Sequence, residues 1–210
     1  MRLYGYYRST SSYRLRIALA LKGLDYQSLA INLKDGEQLQ APYRAINPQC
    51  RVPTLELDSG ARLYQSPALL EYLEECYPTP PLLSTEPLQR ARARAVAALI
   101  SCDIHPLHNV SVLNQLRQLG HDEEQLQHWN KHWISLGLDS IEQWIGDSGW
   151  CFGPQPGLAD VYLIPQLYAA ARFSVDLAPY PRLRRVAALA EQHPAFQQAH
   201  PANQPDCPPS

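Results

Sequence analysis

The ten residues PTPPLLSTEP (78–87) separate two stretches whose apolar residues follow different periods. Proline removes a backbone donor and fixes φ, so a run with four of them continues neither a helix nor a sheet ladder and reads as a linker. Before it, short strand-length runs alternate with helical ones. LYGYY is a strand, and SYRLRIALALKG places Leu15, Ala18, Leu19 and Leu21 at helical spacing with Gly23 as its stop. YQSLAINL is a second strand, and TLEL and ARLY alternate about the turn DSG as a hairpin. SPALLEYLEECYP is a helix with Ser66 as N-cap, Pro67 at N1 and Pro78 as terminator. The order is βαβ, then a hairpin, then a helix.

Beyond the linker every long segment has helical spacing. Pro106 should kink or interrupt the helix that starts at LQRARARAV. In the next helix Leu126, Trp129, Trp133, Leu136 and Ile141 trace an apolar stripe. LADVYLIPQLYAAARF and PRLRRVAALAEQH follow, and the Pro-rich tail HPANQPDCPPS reads as extended. The fold class is therefore an α/β domain over 1–80 followed by an all-helical domain over 87–210. The start of the helix at GLAD has glycine as its N-cap, leaving Asp160 to reach back to the Gly157 N–H.

Charge and cysteine usage narrow the class. Eighteen basic against twenty acidic residues give no nucleic-acid footprint and no acidic tail. No uninterrupted apolar run has the length of a membrane span, and the first residues lack the apolar region of a signal peptide. Five scattered cysteines with no C-x-x-C pair argue against a disulfide framework or a metal knuckle. The expectation is a reduced, cytoplasmic protein without a metal.

Three features bear on chemistry. Ser9, Thr10, Ser11 and Ser12 stand at a helix mouth, where unpaired N–H groups and the helix dipole favour an anion. Hydroxyls there also serve as ordinary caps. No glycine-rich loop with a lysine accompanies them, which argues against phosphate. VPT (52–54) puts a proline at the opening of a strand; it can be cis, with a backbone edge open to an extended peptide, or an ordinary edge-strand proline. QSP (65–67) puts a second hydroxyl at a second helix mouth. Two such mouths with a pairing edge between them suit an extended, acidic small peptide.

The stretches YYRSTSSYRLRIALALKG, INPQCRVPTL, QSPALLEYLEE, PLHNVSVL, LADVYLIPQ and RFSVDLAPYP, in this order and spacing, resemble the glutathione transferase family and, within it, the zeta class. The resemblance runs almost end to end. It implies a thioredoxin-like N-terminal domain followed by an all-helical C-terminal domain, the glutathione transferase fold, usually as a homodimer with glutathione as cofactor. Ser9 would then face the glutathione sulfur. The cysteine of the family's S-S-C-S pattern falls on Ser11, so this sequence departs from the pattern there, and the thiol arrives with glutathione rather than from the protein. Ser9 and Ser11 are the implied catalytic hydroxyls, and Thr10 belongs to the same glutathione-binding mouth.

The resemblance also implies that the Val52 backbone pairs with the cysteinyl unit and that Gln65 and Ser66 hold the γ-glutamyl carboxylate. Gln38, Asn109 and Ser111 match further glutathione-contacting positions. Arg8 and Arg172 are the implied binders of substrate carboxylate or keto oxygens, and each reads equally as a surface or helix-end charge. His105 stands where the family commonly has glutamine; it can donate to a substrate oxygen or move a proton, and packing alone would also account for it.

The implied activity is glutathione-dependent cis–trans isomerisation of maleylacetoacetate to fumarylacetoacetate, on a small maleyl/keto acid, with neither nucleic acid nor membrane as partner. The alternatives are the same chemistry on maleylpyruvate, conjugation of glutathione to haloacids, and a non-catalytic binding protein of the same fold. A shorter, more charged acid should call for an arginine beside Asn109, and NVSVL has none. Retention of Ser9 with Gln65 and Ser66 argues against a pure scaffold.

Overall fold

In the computed structural model, which describes residues 1–208, the chain forms two units: Met1–Leu82 together with the residues from Gln192 onward, and Leu83–Glu191. The first contains β1 (Arg2–Gly5), α1 (Thr10–Leu21), β2 (Gln27–Ala30), the four-residue α2 (Ala41–Arg44), β3 (Thr54–Glu56), β4 (Arg62–Tyr64) and α3 (Ser66–Cys76). The strands order as β2-β1-β3-β4; β1 is parallel to β2, and the other two pairings are antiparallel. A parallel pair requires a crossover, and α1 supplies it.

The sequence makes α1 a helix of unusual surroundings. It ends where expected: Gly23 takes φ 64, its N–H reaches Ala20 O at 3.2 Å, and the Leu24 N–H reaches Leu19 O at 2.9 Å. One apolar face is expected, yet almost the whole helix is buried, Arg14 and Arg16 included. The reason lies at the far end of the chain. PAFQQA, a stretch given no reading from the sequence, forms α9 (Pro194–Ala199), which packs on α1, and the tail expected to extend begins with a 3-10 turn (Pro201–Asn203). Phe196, 2% exposed, is the apolar anchor of α9. The segment from Gln192 thus clusters with the first unit, where the period of the sequence had assigned 87–210 to the helical half. The last two residues of the tail lie outside the described residues.

Two ionic groups brace the unit. Lys22 Nζ, with its side chain fully buried, donates to Glu74 Oε2 (2.7 Å), Tyr77 O (2.6 Å) and Pro80 O (3.0 Å), so all three ammonium protons are used. Glu74 in turn accepts from the Leu82 N–H at 3.0 Å, which fastens the start of the linker to α3. On the sheet, Glu56 is buried and takes ion pairs from Arg62 (2.8 Å) and Arg2.

The second unit holds α4 (Pro87–Ala98), α5 (Val110–Gln118), α6 (Glu123–Trp144), α7 (Leu158–Arg172) and α8 (Pro181–Gln192). The expected interruption at Pro106 begins earlier, as a π-helical segment, Leu99–Ile104, followed by a 3-10 turn, His105–His108. The proline ring cannot coexist with the helical carbonyl four residues back, and a widened turn upstream relieves that conflict. By length and composition alone 87–118 could cross a membrane; within its own unit Val96, Ala97, Ile100 and Ile104 are buried against neighbouring helices. The stripe on α6 is displaced from the expected one. Leu126, Asn130, Ile134, Gly137, Leu138 and Ile141 are buried, whereas Leu136 is exposed and the two tryptophans are half-buried. Gly137 is required by packing: a Cβ there would lie 2.2 Å from Ile104 Cδ1. Asp160 behaves as expected, its carboxylate accepting from Gly157 N–H (2.8 Å) and also from Cys151 N–H (2.9 Å).

Arg62, with Arg2 beside it, holds the Glu56 carboxyl below the usual range. A depressed folded value stabilises the protein above the unfolded pKa, and that contribution is lost as pH falls through the folded one. Glu56→Gln should therefore melt below wild type at neutral pH, with the gap closing under about pH 4. Melting temperatures of both proteins across pH 3–7 test this.

Candidate active site

Ser9 is the N-cap of α1, with extended backbone (φ −68, ψ 120), and its Oγ accepts from the Ser12 N–H at 3.2 Å. That bond uses an oxygen lone pair and leaves the hydroxyl proton to be donated elsewhere. Ser12 is fully buried, its Oγ accepting from Tyr6 N–H at 3.4 Å, so it is structural. Gly5 makes room for it, since a Cβ there would come within 3.2 Å of Ser12 Oγ. Thr10 is buried, Ser9 and Ser11 are half-buried, and Arg8 is exposed on the preceding turn.

The second mouth is built differently from the expectation. Gln65, not Ser66, is the N-cap of α3, with φ 66 and no side-chain cap; Ser66 is the first helical residue and Pro67 follows it. The shift arises because the chain leaves β4 through a left-handed residue, which puts Ser66 already inside the helix. Gln65 Nε2 donates to Gln49 Oε1 at 2.6 Å, and buried Ser66 accepts from Arg14 Nη1 at 3.3 Å. Arg14 lies on α1, so this bond links the two helix mouths. The first turn of α3 lacks a capping side chain, a setting that favours an anion.

Between the mouths, the Val52–Pro53 peptide is cis. The β3 ladder with β1 starts at Thr54, so Val52 lies just outside it. Two buried side chains hold this approach: Tyr43 OH donates to Arg51 O (2.7 Å) and lies 2.9 Å from Thr54 Oγ1, while Asn47 Nδ2 donates to Arg51 O (2.8 Å) and Thr54 Oγ1 (3.1 Å). Tyr43, Asn47, Gln49 and Arg14 were not singled out from the sequence. Only the Asn-Pro pair at 47–48 carried a local turn signal. Gln38 sits in a separate 3-10 turn, Glu37–Leu39, with a buried Oε1 that has no partner among the described residues.

The remaining candidates belong to the second unit. Asn109 caps α5, its Oδ1 accepting from the Ser111 N–H (3.1 Å) and Ser111 hydroxyl (3.0 Å). Half-buried His105 stacks edge-on with His108, whose ring is buried, lies 5.4 Å from Phe173 and pairs with fully buried Gln166 at 3.3 Å. Arg172 closes α7, its guanidinium over the rings of Tyr168 and Phe173. The stretch from Tyr7 to Gly23 that forms the α1 mouth and helix contains no cysteine. Cys151 is buried in the helical unit, and burial, then the Asp160 carboxylate, push its thiol well up, so it is no nucleophile.

The family model for the glutathione S-transferase N-terminal domain matches residues 8–76, which span both helix mouths. A maleylacetoacetate isomerase of Pseudomonas aeruginosa is 69% identical over 210 residues, 99% of each chain. The solved holo structure of a maleylpyruvate isomerase, described as a bacterial zeta-class glutathione S-transferase, superposes with a TM-score of 0.96 at 46% identity, over 99% of this chain and 100% of that one. The chain belongs to the zeta-class glutathione transferase family. A maleylacetoacetate isomerase from Anaeromyxobacter dehalogenans, solved with glutathione in its active site, also superposes, with a TM-score of 0.90 at 44% identity over 99% of this chain and 97% of that one. Zeta-class membership fits two helix mouths that favour anions, with a cis Val52–Pro53 peptide between them in the chain.

If Ser9 donates to a glutathione thiolate, Ser9→Ala should lower kcat more than it weakens glutathione binding, by about 1–3 kcal/mol in the barrier. Neighbouring Ser11 can rescue part of this. Full activity in the Ser9→Ala/Ser11→Ala double variant would remove both hydroxyls from the role.

Proposed function

We propose that the protein is a glutathione-dependent cis–trans isomerase converting maleylacetoacetate to fumarylacetoacetate. The observation that carries this reading is the pair of helix mouths on one unit, joined through Arg14 and Ser66, with the Ser9 hydroxyl proton available at one of them. The Pseudomonas relative at 69% identity supports the substrate, and the glutathione-bound relative supports the cofactor.

When bound, glutathione supplies a thiolate whose reversible addition to the maleyl double bond permits rotation. This chain's residues prepare that chemistry. The Ser9 hydroxyl and the N-terminus of α1 stabilise negative charge on sulfur. Lowering a free thiol from about 8.5 by about 1–2 units corresponds to about 1.4–2.7 kcal/mol, within reach of one charge-assisted hydrogen bond and a helix dipole. Gln65 and Ser66 hold a carboxylate at the α3 mouth, the Val52 backbone pairs with the peptide, and Thr10, Gln38, Asn109 and Ser111 add contacts. Arg8, Arg172 and His105 orient the substrate through its carboxylate and keto oxygens, where charge develops during the reaction. Five free cysteines suit a reducing cytoplasm, and the family implies a homodimer with neither membrane nor nucleic acid as partner.

The relative that superposes at a TM-score of 0.96 is a maleylpyruvate isomerase, which makes that acid the second reading. Assays of both acids side by side, with and without glutathione, decide between them. Activity should require glutathione without consuming it, so thiol titration before and after complete turnover should agree. Stoichiometric loss of thiol would indicate conjugation instead.

Arg8→Ala and Arg172→Ala should each raise KM for the maleyl acid about tenfold to a hundredfold, equivalent to about 1.5–3 kcal/mol, with glutathione affinity nearly unchanged. Lysine should restore only part, because it loses the guanidinium fork. Unchanged KM with a lowered melting point would return both arginines to a surface role.

A further inference from the structure

The turn that delivers Ser9 to its position is held through its backbone at Tyr6, Tyr7 and Ser9. Tyr6 N–H goes to Ser12 Oγ at 3.4 Å, and Ser9 N–H goes to Tyr6 O at 3.0 Å. Buried Arg16 reaches back from α1, donating from Nη1 to Tyr6 O (3.4 Å) and from Nη2 to Tyr7 O (2.9 Å). The Tyr7 N–H donates to Asp206 Oδ2 at 2.7 Å, across 199 residues of sequence. Arg16 is itself aimed by the tail, through a bond from Nε to Ala199 O at 2.9 Å. The tail therefore grips the 6–9 turn twice, directly through Asp206 and indirectly through Arg16.

We propose that Asp206 is a positioning residue for thiol activation: by fixing Tyr7 it sets the direction of the Ser9 hydroxyl and of the first N–H groups of α1. The proposal rests on the reading of the α1 mouth as the thiolate site. Tyr7 is two residues from Ser9, and a 2.7 Å bond to a carboxylate is of the short, charge-assisted kind. Donors aimed at a charged sulfur act through distance and angle, so a small rotation of the turn lowers their effect steeply. The tail's packing has another source, since Phe196 and α9 bury against α1 ahead of Asp206. Half-buried Asp206 contributes a bond to main chain that anchoring the tail does not require.

Two full-length variants separate position from charge. Asp206→Asn keeps an oxygen able to accept from Tyr7 and removes the charge; Asp206→Ala removes both. Three readings apply to each: the pKa of the bound glutathione thiol from thiolate absorbance against pH, the kcat and KM values, and amide exchange over residues 6–12. Asp206→Ala should raise the bound-thiol pKa, lower kcat near neutral pH by about threefold to tenfold with KM for the acid little changed, and speed exchange in the turn. Asp206→Asn should stay close to wild type. Coulomb repulsion alone predicts the opposite sign, because deleting a carboxylate near a thiolate lowers the thiol pKa in both variants. That result would overturn the proposal, and so would a lowered melting point with thiol pKa, kcat and exchange unchanged. A wild-type protein that neither turns over substrate nor shifts the glutathione thiol would fail the functional reading instead, while exchange over 6–12 would still report whether the tail clamps the turn.

Discussion

A helix enclosed along its sides and open at its N-terminus is the constraint around which the first unit is arranged. The N–H groups at the start of α1 carry partial positive charge that nothing inside the helix can satisfy. The rest of α1 is enclosed by α3 and α9, and two arginines enclosed with it find work as ties. Arg14 joins it to the α3 mouth, and Arg16 joins it to its own entry turn and to the tail. Burying a guanidinium is costly unless its donors meet oxygens, and for Arg16 those oxygens belong to the entry turn of α1 and to the tail.

Elements that follow from local chemistry were legible in the sequence: the hairpin about DSG, the Gly23 stop, the proline linker and the reach of Asp160 to Gly157. What could not be read locally came from partners far along the chain. The apolar face expected of α1 was one of two, because its second cover is α9, a six-residue helix in a stretch that carried no reading from the sequence. The α6 stripe was drawn through tryptophans and Leu136, since hydrophobicity counts them strongly. The buried line runs instead through Asn130 and Gly137, residues whose place there depends on what they meet. Ser66 as N-cap was off by one because nothing in QSP signals that glutamine takes a positive φ.

The candidate site shows the same division. Ser9, Gln65 and Val52 could be named from the order of motifs, which recorded positions along the chain. The bonds that hold them could not: Arg14 to Ser66 spans 52 residues, Gln65 to Gln49 spans 16, and Tyr7 to Asp206 spans 199. Tyr43 and Asn47, which hold the approach to the cis proline, were given no role from the sequence, although Asn47 lies in INPQCRVPTL.

Gly137 carries a consequence for variation among relatives of this chain. The π segment ends at Ile104, whose side chain occupies the space a Cβ at 137 would need, and His105 is the next residue. Adding one methyl to α6 must shift the end of the Ile104 side chain. Positions 104 and 137 therefore share one volume inside the helical unit, so a larger residue at one calls for a smaller residue at the other.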